Sequence, residues 1–369
     1  MTDAMALRSE VRGFLQEERA SGGFTPGIDA WLKSHSPEFS RKLGERGWLG
    51  MTWPRHLGGR LATFMERFVV NEELVAAGAP VAAHWVAENQ CGPLLLQLGT
   101  IEQQELLLPP IARGELYVAA GLSEPDSGSD LASIRTRATR VEGGWRLTGR
   151  KIWSSNAHRN QYLLALVRTS PRSEDRHAGL SQMFVDLQAP GVEVRPIPAM
   201  GDPAPFAEVA LDDVFVPDLM VLGEPGSGWR QVTSMLIQER SGPERYLSTF
   251  ALLREVANLA AHSSRAKEEL GTITARLWAV RSLALHVLQL LDRGQSPALQ
   301  GAMVKAQAAG VERDIADVAR NVLVERRQPL ARPLKKMLDT ALLASPGFTI
   351  RGGSVQILRN VIAKELCKQ

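Results

Sequence analysis

Cysteine is scarce in this chain, which has only two, Cys91 and Cys367, among its 369 residues. They lie far apart and in no spacing that binds a metal. We therefore expect neither a disulfide framework nor a metal site. So low a cysteine content is typical of a reducing compartment, and the predicted location is the cytoplasm.

Long apolar runs and clustered basic charge are missing too. No run of about eighteen apolar residues occurs, so no membrane-spanning helix and no membrane partner are expected. Residues 1–12 contain Asp3, Glu10 and two arginines in place of an apolar core, which does not predict a signal peptide. The 43 basic residues barely exceed the 40 acidic ones and form no run with aromatic neighbours, which argues against a nucleic-acid partner.

The residues that are present predict an α+β multidomain chain. Its 44% hydrophobic and 22% charged residues are ordinary for a globular protein, and its length allows two or three domains. Apolar residues repeat with helical spacing over residues 1–115 and again over 223–369, while short alternating segments fill 116–222. We therefore predict an N-terminal helical domain, a central antiparallel β domain of about seven strands, and a C-terminal four-helix bundle.

Two local predictions can be checked directly. The longest C-terminal helices, Lys267–Arg293 and Ser296–Glu325, should approach thirty residues. Pro109 and Pro110 should delay the element that follows them, because proline interrupts helical hydrogen bonding.

One loop stands at the first change from helical to strand pattern, at Gly121–Asp130. It contains two glycines, one proline, three acids and three serines, and can propagate neither a helix nor a central strand. Such a loop exposes backbone N–H groups and hydroxyls that bind anions or polar ring edges. An ordinary solvated turn has the same composition.

Short motifs follow one another in a fixed order along nearly the whole chain. They are Gly47–Gly50, Trp53-Pro54, Gly58-Gly59, Gly99–Gln103, Leu122–Pro125, Gly128–Asp130, Gly149–Lys151 with Trp153 and Asn156, Val214–Pro217, Gly223, Gly228-Trp229, Glu239-Arg240, and Gly352–Ser354 with Gln356. This ordered set resembles the acyl-CoA dehydrogenase family of flavoproteins, which supports the three-part fold above.

The resemblance implies a reaction and its partners. An acyl thioester, most simply an acyl-CoA, loses its α-proton and β-hydride and becomes a 2-enoyl thioester, while FAD is reduced. An electron acceptor such as an electron-transfer flavoprotein and a homo- or hetero-oligomeric assembly are implied as well. Three alternatives stay open: an oxidase, an acyl-carrier-protein-linked dehydrogenase of the same fold, and a non-catalytic subunit of a heteromeric acyl-CoA dehydrogenase.

The resemblance also implies where FAD binds. It places Ser123 at the pyrimidine side and N5 of the flavin, Trp153 near the dimethylbenzene ring, and Ser155 near N5. Ser129 is expected at a phosphate or at the substrate pantetheine, and Arg240 at the substrate. The expected cofactor-binding residues are Leu122, Ser123, Gly128, Ser129, Trp153, Ser154, Ser155, Ser354 and Gln356.

The general base is displaced from its commonest family position. Many members carry a Glu directly before the Gly-Thr of the C-terminal loop, and this position is Gly352 here, which cannot take a proton. Its backbone N–H is still expected to polarise the thioester carbonyl. A branch of the family instead places a Glu eleven residues after a Gly and directly before an Arg. Gly228 and Glu239 have this spacing, so Glu239 is the expected base.

Glu244 is the alternative base. In an unbroken helix it would point about 140° away from Glu239, so the two carboxylates can share a face only if the helix breaks near Pro243. The structural alternative for both residues is a solvated Glu–Arg pair.

Two family segments are absent. An Arg-x-x-Phe-Gly motif with a following Gln is missing from residues 253–277, and a Gln-x-x-Gly-Gly-x-Gly motif is missing from residues 323–335. In the family these segments complete the FAD site of a second subunit. Their absence favours a partner subunit that supplies them, and a different substrate pocket is the alternative.

Overall fold

The computed structural model describes residues 2–259, 263–325 and 329–367. Within it the chain divides into two units. The helical unit comprises Met1–Ser34, Thr63–Val81 and Ile237–Gln369, and the sheet unit comprises His35–Ala62 and Ala82–Leu236. The predicted domain boundaries after residues 115 and 222 stay predictions, and residues 326–328 of the second missing family segment lie outside the described residues.

Helices account for most of the residues that come before and after the strands in the sequence. In order they are Thr2–Ala20 (α1), Ala30–Lys33 (α2), Pro37–Glu45 (α3), Phe64–Ala76 (α4), Gly92–Leu98 (α5), Ile101–Ala112 (α6), Gly228–Glu239 (α7), Phe250–Leu259 (α8), Ser264–Asp292 (α9), Ala298–Glu325 (α10), Arg332–Phe348 (α11) and Val355–Leu366 (α12). Helices α9 and α10 have 29 and 28 residues, as their long periodic pattern predicted.

Capping side chains fix where two of the N-terminal helices begin. Thr63 and Glu66 form a reciprocal capping box on α4, and Thr100 and Gln103 form one on α6. The expectation that the two prolines delay the next element was wrong, because α6 continues through Pro109 and Pro110 to Ala112. Leu107, Leu108 and Ile111 are buried on this helix, and their packing outweighs the lost backbone hydrogen bonds.

The sheet unit contains strands at Val118–Gly121 (β1), Arg137–Val141 (β2), Gly144–Ser155 (β3), Tyr162–Arg168 (β4), Leu180–Asp186 (β5), Val192–Ala199 (β6), Asp202–Pro217 (β7) and Val221–Leu222 (β8). Their order is β6-β7-β3-β2-β4-β5-β8, with β1 paired to β4. Most pairs are antiparallel, as predicted, but β1 lies parallel to β4 and β2 meets β4 in parallel at one position. The sheet is therefore mixed.

Parallel pairing of β1 positions the loop Gly121–Asp130. Gly121 is the last residue of β1 and lies opposite Ala165 of β4. A side chain at this glycine would meet the buried Leu163 within 2.9 Å, so the chain turns away from the sheet at a close-packed position. The core beneath it is formed by buried aliphatic residues of β3, β4, β5 and β7, among them Leu147, Leu163, Val185, Val209 and Val214.

The C-terminal helices of the helical unit pack around a second apolar core. Most of its buried members come from α8, α10 and α11 and include Leu252, Val256, Ala316, Ala319, Val322 and Ala341. After α11 ends at Phe348, six residues lead to α12, and Gly352 lies in this connection. These helices provide the predicted C-terminal bundle.

Candidate active site

In the sheet unit, a buried ion pair holds the loop Gly121–Asp130. The carboxylate of Glu124 accepts hydrogen bonds from the backbone N–H groups of Arg135 and Thr136, at 2.6 and 2.9 Å. Lys151 Nζ lies 2.7 Å from the same carboxylate and 3.3 Å from the carbonyl oxygen of Leu122. Charged hydrogen bonds therefore tie the loop to the two residues before β2 and to Lys151 of β3.

Burial and charge act against each other in this pair. Burial lowers the pKa of Lys151 to about 8, and the charge of Glu124 opposes this shift. Burial also disfavours the ionised form of Glu124, but the charge and hydrogen bond of Lys151 and the bonds from residues 135 and 136 keep its pKa below the ordinary value. Both groups depend on each other to remain charged inside the protein.

The opposite side of the loop is open to solvent. Gly128 and Ser129 are exposed, and a side chain at Gly128 would meet no atom within 4 Å. Leu122 and Ser123 are half-buried, and the Ser123 carbonyl oxygen accepts a hydrogen bond from Ile152 N–H at 2.9 Å. The loop thus presents Ser123 and Ser129 on the side away from the Glu124–Lys151 ion pair that anchors it.

A bulge in β3 exposes an indole ring next along the chain. The register of β3 against β7 shifts between Lys151 and Ser154, and Trp153 has a left-handed φ of 62°. Its side chain is 55% exposed and meets Phe206 edge to face at 5.9 Å. Strand bulges re-aim side chains, and strained backbone of this kind concentrates at functional sites.

Ser154 and Ser155 complete the bulge. Ser154 is fully buried, and its Oγ has no hydrogen-bond partner among the residues that the structure describes, while Ser155 is half-buried. An exposed indole, an orphaned buried hydroxyl and an open glycine fit a flat ring with polar edges. The flavin-binding residues predicted in the sheet unit therefore lie on one anchored loop and one bulge.

In the helical unit, the expected base lies where a helix ends. Helix α7 ends at Glu239, and a single 3₁₀ turn at Pro243–Arg245 follows. The guanidinium of Arg245 binds the Glu239 carboxylate through Nη2 and lies 3.1 Å from Glu244 through Nε, and Nε also donates to the Glu239 carbonyl oxygen at 3.1 Å. The helix break that would bring the two glutamates together is present, and they share one arginine.

Gly352 lies beside this arginine and the expected base. Its φ is 65°, a left-handed conformation that favours glycine. A side chain at this position would begin 3.2 Å from Oε1 of Glu239 and 3.2 Å from Nη1 of Arg245. The carboxylate of Glu239 therefore lies next to the point from which a side chain at residue 352 would extend.

The connection that carries Gly352 is fixed from two sides. Arg351 Nη1 binds Asp29 Oδ1 at 2.6 Å and its Nη2 lies 3.2 Å from Ser248 Oγ. Lys305, which is 1% exposed, donates to the carbonyl oxygen of Phe348 at 2.9 Å. Sequence reasoning assigned none of these residues a role, because they come from distant segments that carry no local signal.

Aromatic contact supports both arginines. The guanidinium carbons of Arg245 and Arg351 each lie 4.9 Å from the ring centre of Trp31. The indole N–H of Trp31 lies 3.0 Å from Ser248 Oγ. Trp31 thereby couples the arginine at the expected base to the arginine that precedes Gly352.

Charged groups in this cluster are buried. Burial raises the pKa of Glu244 and of Glu312 and lowers the pKa of Lys305 and of Arg240. Arg240 is 9% exposed, and its Nε lacks a hydrogen-bond partner within the described part of the chain. The expectation of a solvated Glu–Arg pair does not match this environment.

The last two predicted cofactor residues begin α12. Ser354 is its N-cap and accepts a hydrogen bond from Ile357 N–H at 3.4 Å, while Gln356 lies exposed in the first turn. A side chain at Gly353 would begin 3.9 Å from Nη2 of Arg240. In the helical unit the structure thus brings together Glu239, Glu244 and Arg240 with the segment at Gly352.

The sequence predicted neither a membrane-spanning helix nor a metal site. Across residues 2–259, 263–325 and 329–367, no helix has the length and apolar content needed to cross a bilayer. The described residues contain no group of three or more His, Cys, Asp or Glu side chains arranged to hold a metal ion.

Helices, a mixed sheet and further helices follow one another in this order along the chain, and the homologues named below are oxidoreductases that act on CH–CH bonds. The chain belongs to the acyl-CoA dehydrogenase family. Family models match it as "Acyl-CoA dehydrogenase, N-terminal domain" over residues 2–115, "middle domain" over 119–214 and "C-terminal domain" over 226–367. The resemblance and the fold class predicted from the sequence are thereby confirmed, and the family binds FAD.

Two curated relatives are acyl-CoA dehydrogenases of Mycobacterium tuberculosis. The chain is 32% identical to IpdE1 over 386 aligned positions, which cover 99% of this chain and 98% of that protein. It is 34% identical to FadE34 over 345 positions, which cover 89% of this chain and 46% of FadE34. The chain therefore spans about half the length of FadE34 and nearly all of IpdE1.

Solved structures share the fold over the whole chain. The structure described as the Tcur3481–Tcur3483 steroid ACAD superposes with a TM-score of 0.87 at 26% identity and covers 100% of this chain and 98% of that one. The ChsE4–ChsE5 complex from Mycobacterium tuberculosis superposes with a TM-score of 0.82, also at 26% identity, with the same coverage. Each of these descriptions names two components.

Proposed function

We propose that this chain is an FAD-dependent dehydrogenase that converts an acyl thioester, most simply an acyl-CoA, to the 2-enoyl thioester. The observation that carries the proposal is the position of Glu239. Its carboxylate lies beside Gly352, where many family members carry their catalytic Glu, and so restores a base at a place where the sequence has lost one.

The division of roles follows from the chemistry of each group. Glu239 takes the α-proton of the substrate on a carboxylate oxygen. The backbone N–H of Gly352 donates to the thioester carbonyl oxygen and stabilises the negative charge that develops there. When bound, FAD supplies the hydride acceptor for the β-carbon.

The residues proposed to hold the cofactor are those of the anchored loop, the bulge and the start of α12. The exposed Trp153 ring offers a stacking surface, and Ser123, Ser154 and Ser155 offer hydroxyls for polar ring edges. Leu122, Gly128, Ser129, Ser354 and Gln356 complete the set. Ser129 and Arg240 are also proposed to contact the substrate.

Glu239 is preferred to Glu244 for a geometric reason. Oε1 of Glu239 is the carboxylate oxygen near Gly352, whereas Glu244 is 4% exposed and lies against Gly242 and Nε of Arg245. A base must reach the proton that it removes, and this favours the carboxylate beside the proposed carbonyl donor.

A hetero-oligomer is the proposed assembly. The two family segments that would complete a neighbouring FAD site are absent from the sequence, and two solved relatives are described as pairs of components. A homologous partner subunit would supply the missing segments. An external acceptor, such as an electron-transfer flavoprotein, would then reoxidise the cofactor.

The test begins with the purified protein, prepared alone and with a co-expressed homologous subunit. A flavin absorbance band and formation of an enoyl-CoA product, with an artificial electron acceptor, are expected from at least one member of an acyl-CoA panel. The panel should vary in length, branching and ring content, and should include steroid acyl-CoAs because a relative is described as a steroid ACAD. Absence of both flavin and product in every preparation would contradict the proposal, and oxygen consumption without an acceptor would redirect it to an oxidase.

A further inference from the structure

Arg245 is bound by two carboxylates, and the proposed reaction uses only one of them. Nη2 binds Glu239 and Nε lies 3.1 Å from Glu244. The side chains are 1% exposed for Arg245, 12% for Glu239 and 5% for Glu244. Three charges are therefore held together where solvent screens them little.

Two anions on one cation affect the proton affinity of both anions. The charge of Arg245 lowers the pKa of Glu244, and the charge of Glu239 raises it. If Glu239 takes a proton, Glu244 still neutralises Arg245. Without Glu244, protonation of Glu239 would leave this arginine buried without its carboxylate partners, which is costly.

We propose that Glu244 is a positioning residue for the reaction: by sharing Arg245 it neutralises the arginine's charge once Glu239 is protonated. The catalytic part of this inference rests on the proposed function. The charge coupling between the two carboxylates does not.

Other charged groups also face the trio. Glu239 and Arg245 act electrostatically on Arg240, Arg351 acts on Glu244, and Arg245 is influenced by Glu312 and Asp29. Lys305 on α10 is influenced by Arg245, Arg351, Glu312 and Glu239. Arg351 is bound by Asp29 and lies 3.6 Å from Glu312, so part of its charge is already compensated. These groups are the same in each variant compared below, so a difference between variants reports the removed carboxylate.

The hydrogen bonding of Arg245 also bears on the roles of the two glutamates. Its Nη1, the nitrogen near Gly352, has no hydrogen-bond partner among residues 2–259, 263–325 and 329–367. The other two nitrogens are occupied by Glu239 and Glu244. Loss of the Glu239 carboxylate would leave Nη2 unpaired as well. Loss of Glu244 would remove the second carboxylate from the guanidinium, while Nε would still donate to the Glu239 carbonyl oxygen.

The coupling can be measured without any substrate. We suggest labelling the glutamate side-chain carboxyl carbons with ¹³C, assigning the Glu244 resonance by its loss in Glu244→Gln, and titrating it in the intact protein. Reciprocity of coupling means that the effect of Glu239 on Glu244 equals the effect of Glu244 on Glu239. Glu239→Gln should lower the titration midpoint of Glu244 by roughly one pH unit. Glu72→Gln, which removes a buried carboxylate bound by Arg281, is the matched control and should leave the midpoint in place.

Each outcome decides the question. An unchanged Glu244 midpoint in Glu239→Gln, or an equal shift in Glu72→Gln, would overturn the inference. If Glu239→Gln does not fold, the wild-type curve decides, since a coupled Glu244 must titrate in two steps and an uncoupled one in a single step. Once a substrate is found, Glu244→Gln should move the acid limb of kcat/KM to lower pH while activity remains, and Glu244→Asp should restore the limb. A shifted midpoint with an unmoved acid limb would keep the coupling and refute Glu239 as the base.

Discussion

Gly352 and Glu239 lie side by side, and in our proposal Glu239 is the base that residue 352 cannot provide. At the left-handed φ of Gly352, a side chain would begin 3.2 Å from Glu239 Oε1 and 3.2 Å from Arg245 Nη1. That space is filled by groups from the segment around the end of α7 instead. Activity would then depend on the absence of a side chain at residue 352 as much as on the presence of Glu239.

Gly352→Ala tests this dependence. The methyl group would crowd both neighbours, and an L-residue at this φ costs about 1–2 kcal/mol. We expect the free energy of unfolding in urea to fall by about that amount and dehydrogenation to fall with it. Gly13→Ala is the control, because Gly13 lies exposed within α1 with open space around it, and alanine there should raise stability by about 0.5–1 kcal/mol. Equal stability and full activity in Gly352→Ala would contradict the account.

Trp153→Ala tests the flavin side at the same scale. The indole is more than half exposed, so its removal should affect folding little, whereas loss of a stacking surface should weaken FAD retention by about tenfold. The readout is the flavin-to-protein absorbance ratio after dialysis. Phe215→Ala removes another exposed aromatic ring of the same sheet and should retain flavin as the wild type does. Unchanged flavin occupancy in Trp153→Ala would remove this residue from the site.

At the scale of secondary-structure elements, the loop Gly121–Asp130 and the β3 bulge are joined by one buried ion pair. Lys151 lies at the start of the β3 bulge and Glu124 lies inside the loop, so a single ion pair at 2.7 Å sets the geometry of both. The side chains are 0% and 7% exposed. In such a site the intact pair contributes little net stability, but removal of one partner leaves a buried charge.

Lys151→Met should therefore lower the free energy of unfolding by about 3–5 kcal/mol, because it strands the Glu124 carboxylate. Urea unfolding followed by circular dichroism measures this. Arg150→Met is the matched control one residue earlier, where the exposed arginine pairs with Glu208 at 3.2 Å and its loss should cost no more than about 1 kcal/mol. Similar losses in the two variants would show that the pair does not anchor the loop.

Sequence patterns predicted the elements better than their ends and contacts. Alternation and turn residues located most strands, but β8, with only Val221 and Leu222, is too short to give a pattern. Periodicity located the long helices, yet the proline rule did not anticipate that α6 continues through Pro109 and Pro110, since the packing of its buried leucines is a tertiary effect.

The sequence likewise predicted only some residues of the candidate site. The resemblance to the acyl-CoA dehydrogenase family identified Ser123, Trp153 and Glu239 as candidates. It could not identify Arg245 as the arginine shared by Glu239 and Glu244, because their meeting depends on where α7 stops. Asp29 and Lys305 act on the Gly352 segment from more than forty residues away in sequence, and only the fold brings them there.

At the scale of the whole molecule, the chain combines the family's fold with an altered set of site residues. Family models cover residues 2–115, 119–214 and 226–367, and structures with two named components superpose on the full chain. The chain nevertheless lacks the usual Glu at residue 352 and two segments that serve a second subunit. Our account is that the base has moved to Glu239 while the flavin-binding loop and bulge are kept.

The most direct measurement is anaerobic flavin reduction by an active acyl-CoA in the wild type, Glu239→Gln and Glu244→Gln, each with its flavin content determined first. We predict unchanged flavin content in Glu239→Gln and a reduction rate about 10²–10⁴-fold lower, as expected for loss of a general base. Glu244→Gln should keep measurable reduction. Wild-type reduction by Glu239→Gln, together with its loss in Glu244→Gln, would contradict the central claim and assign the base to Glu244.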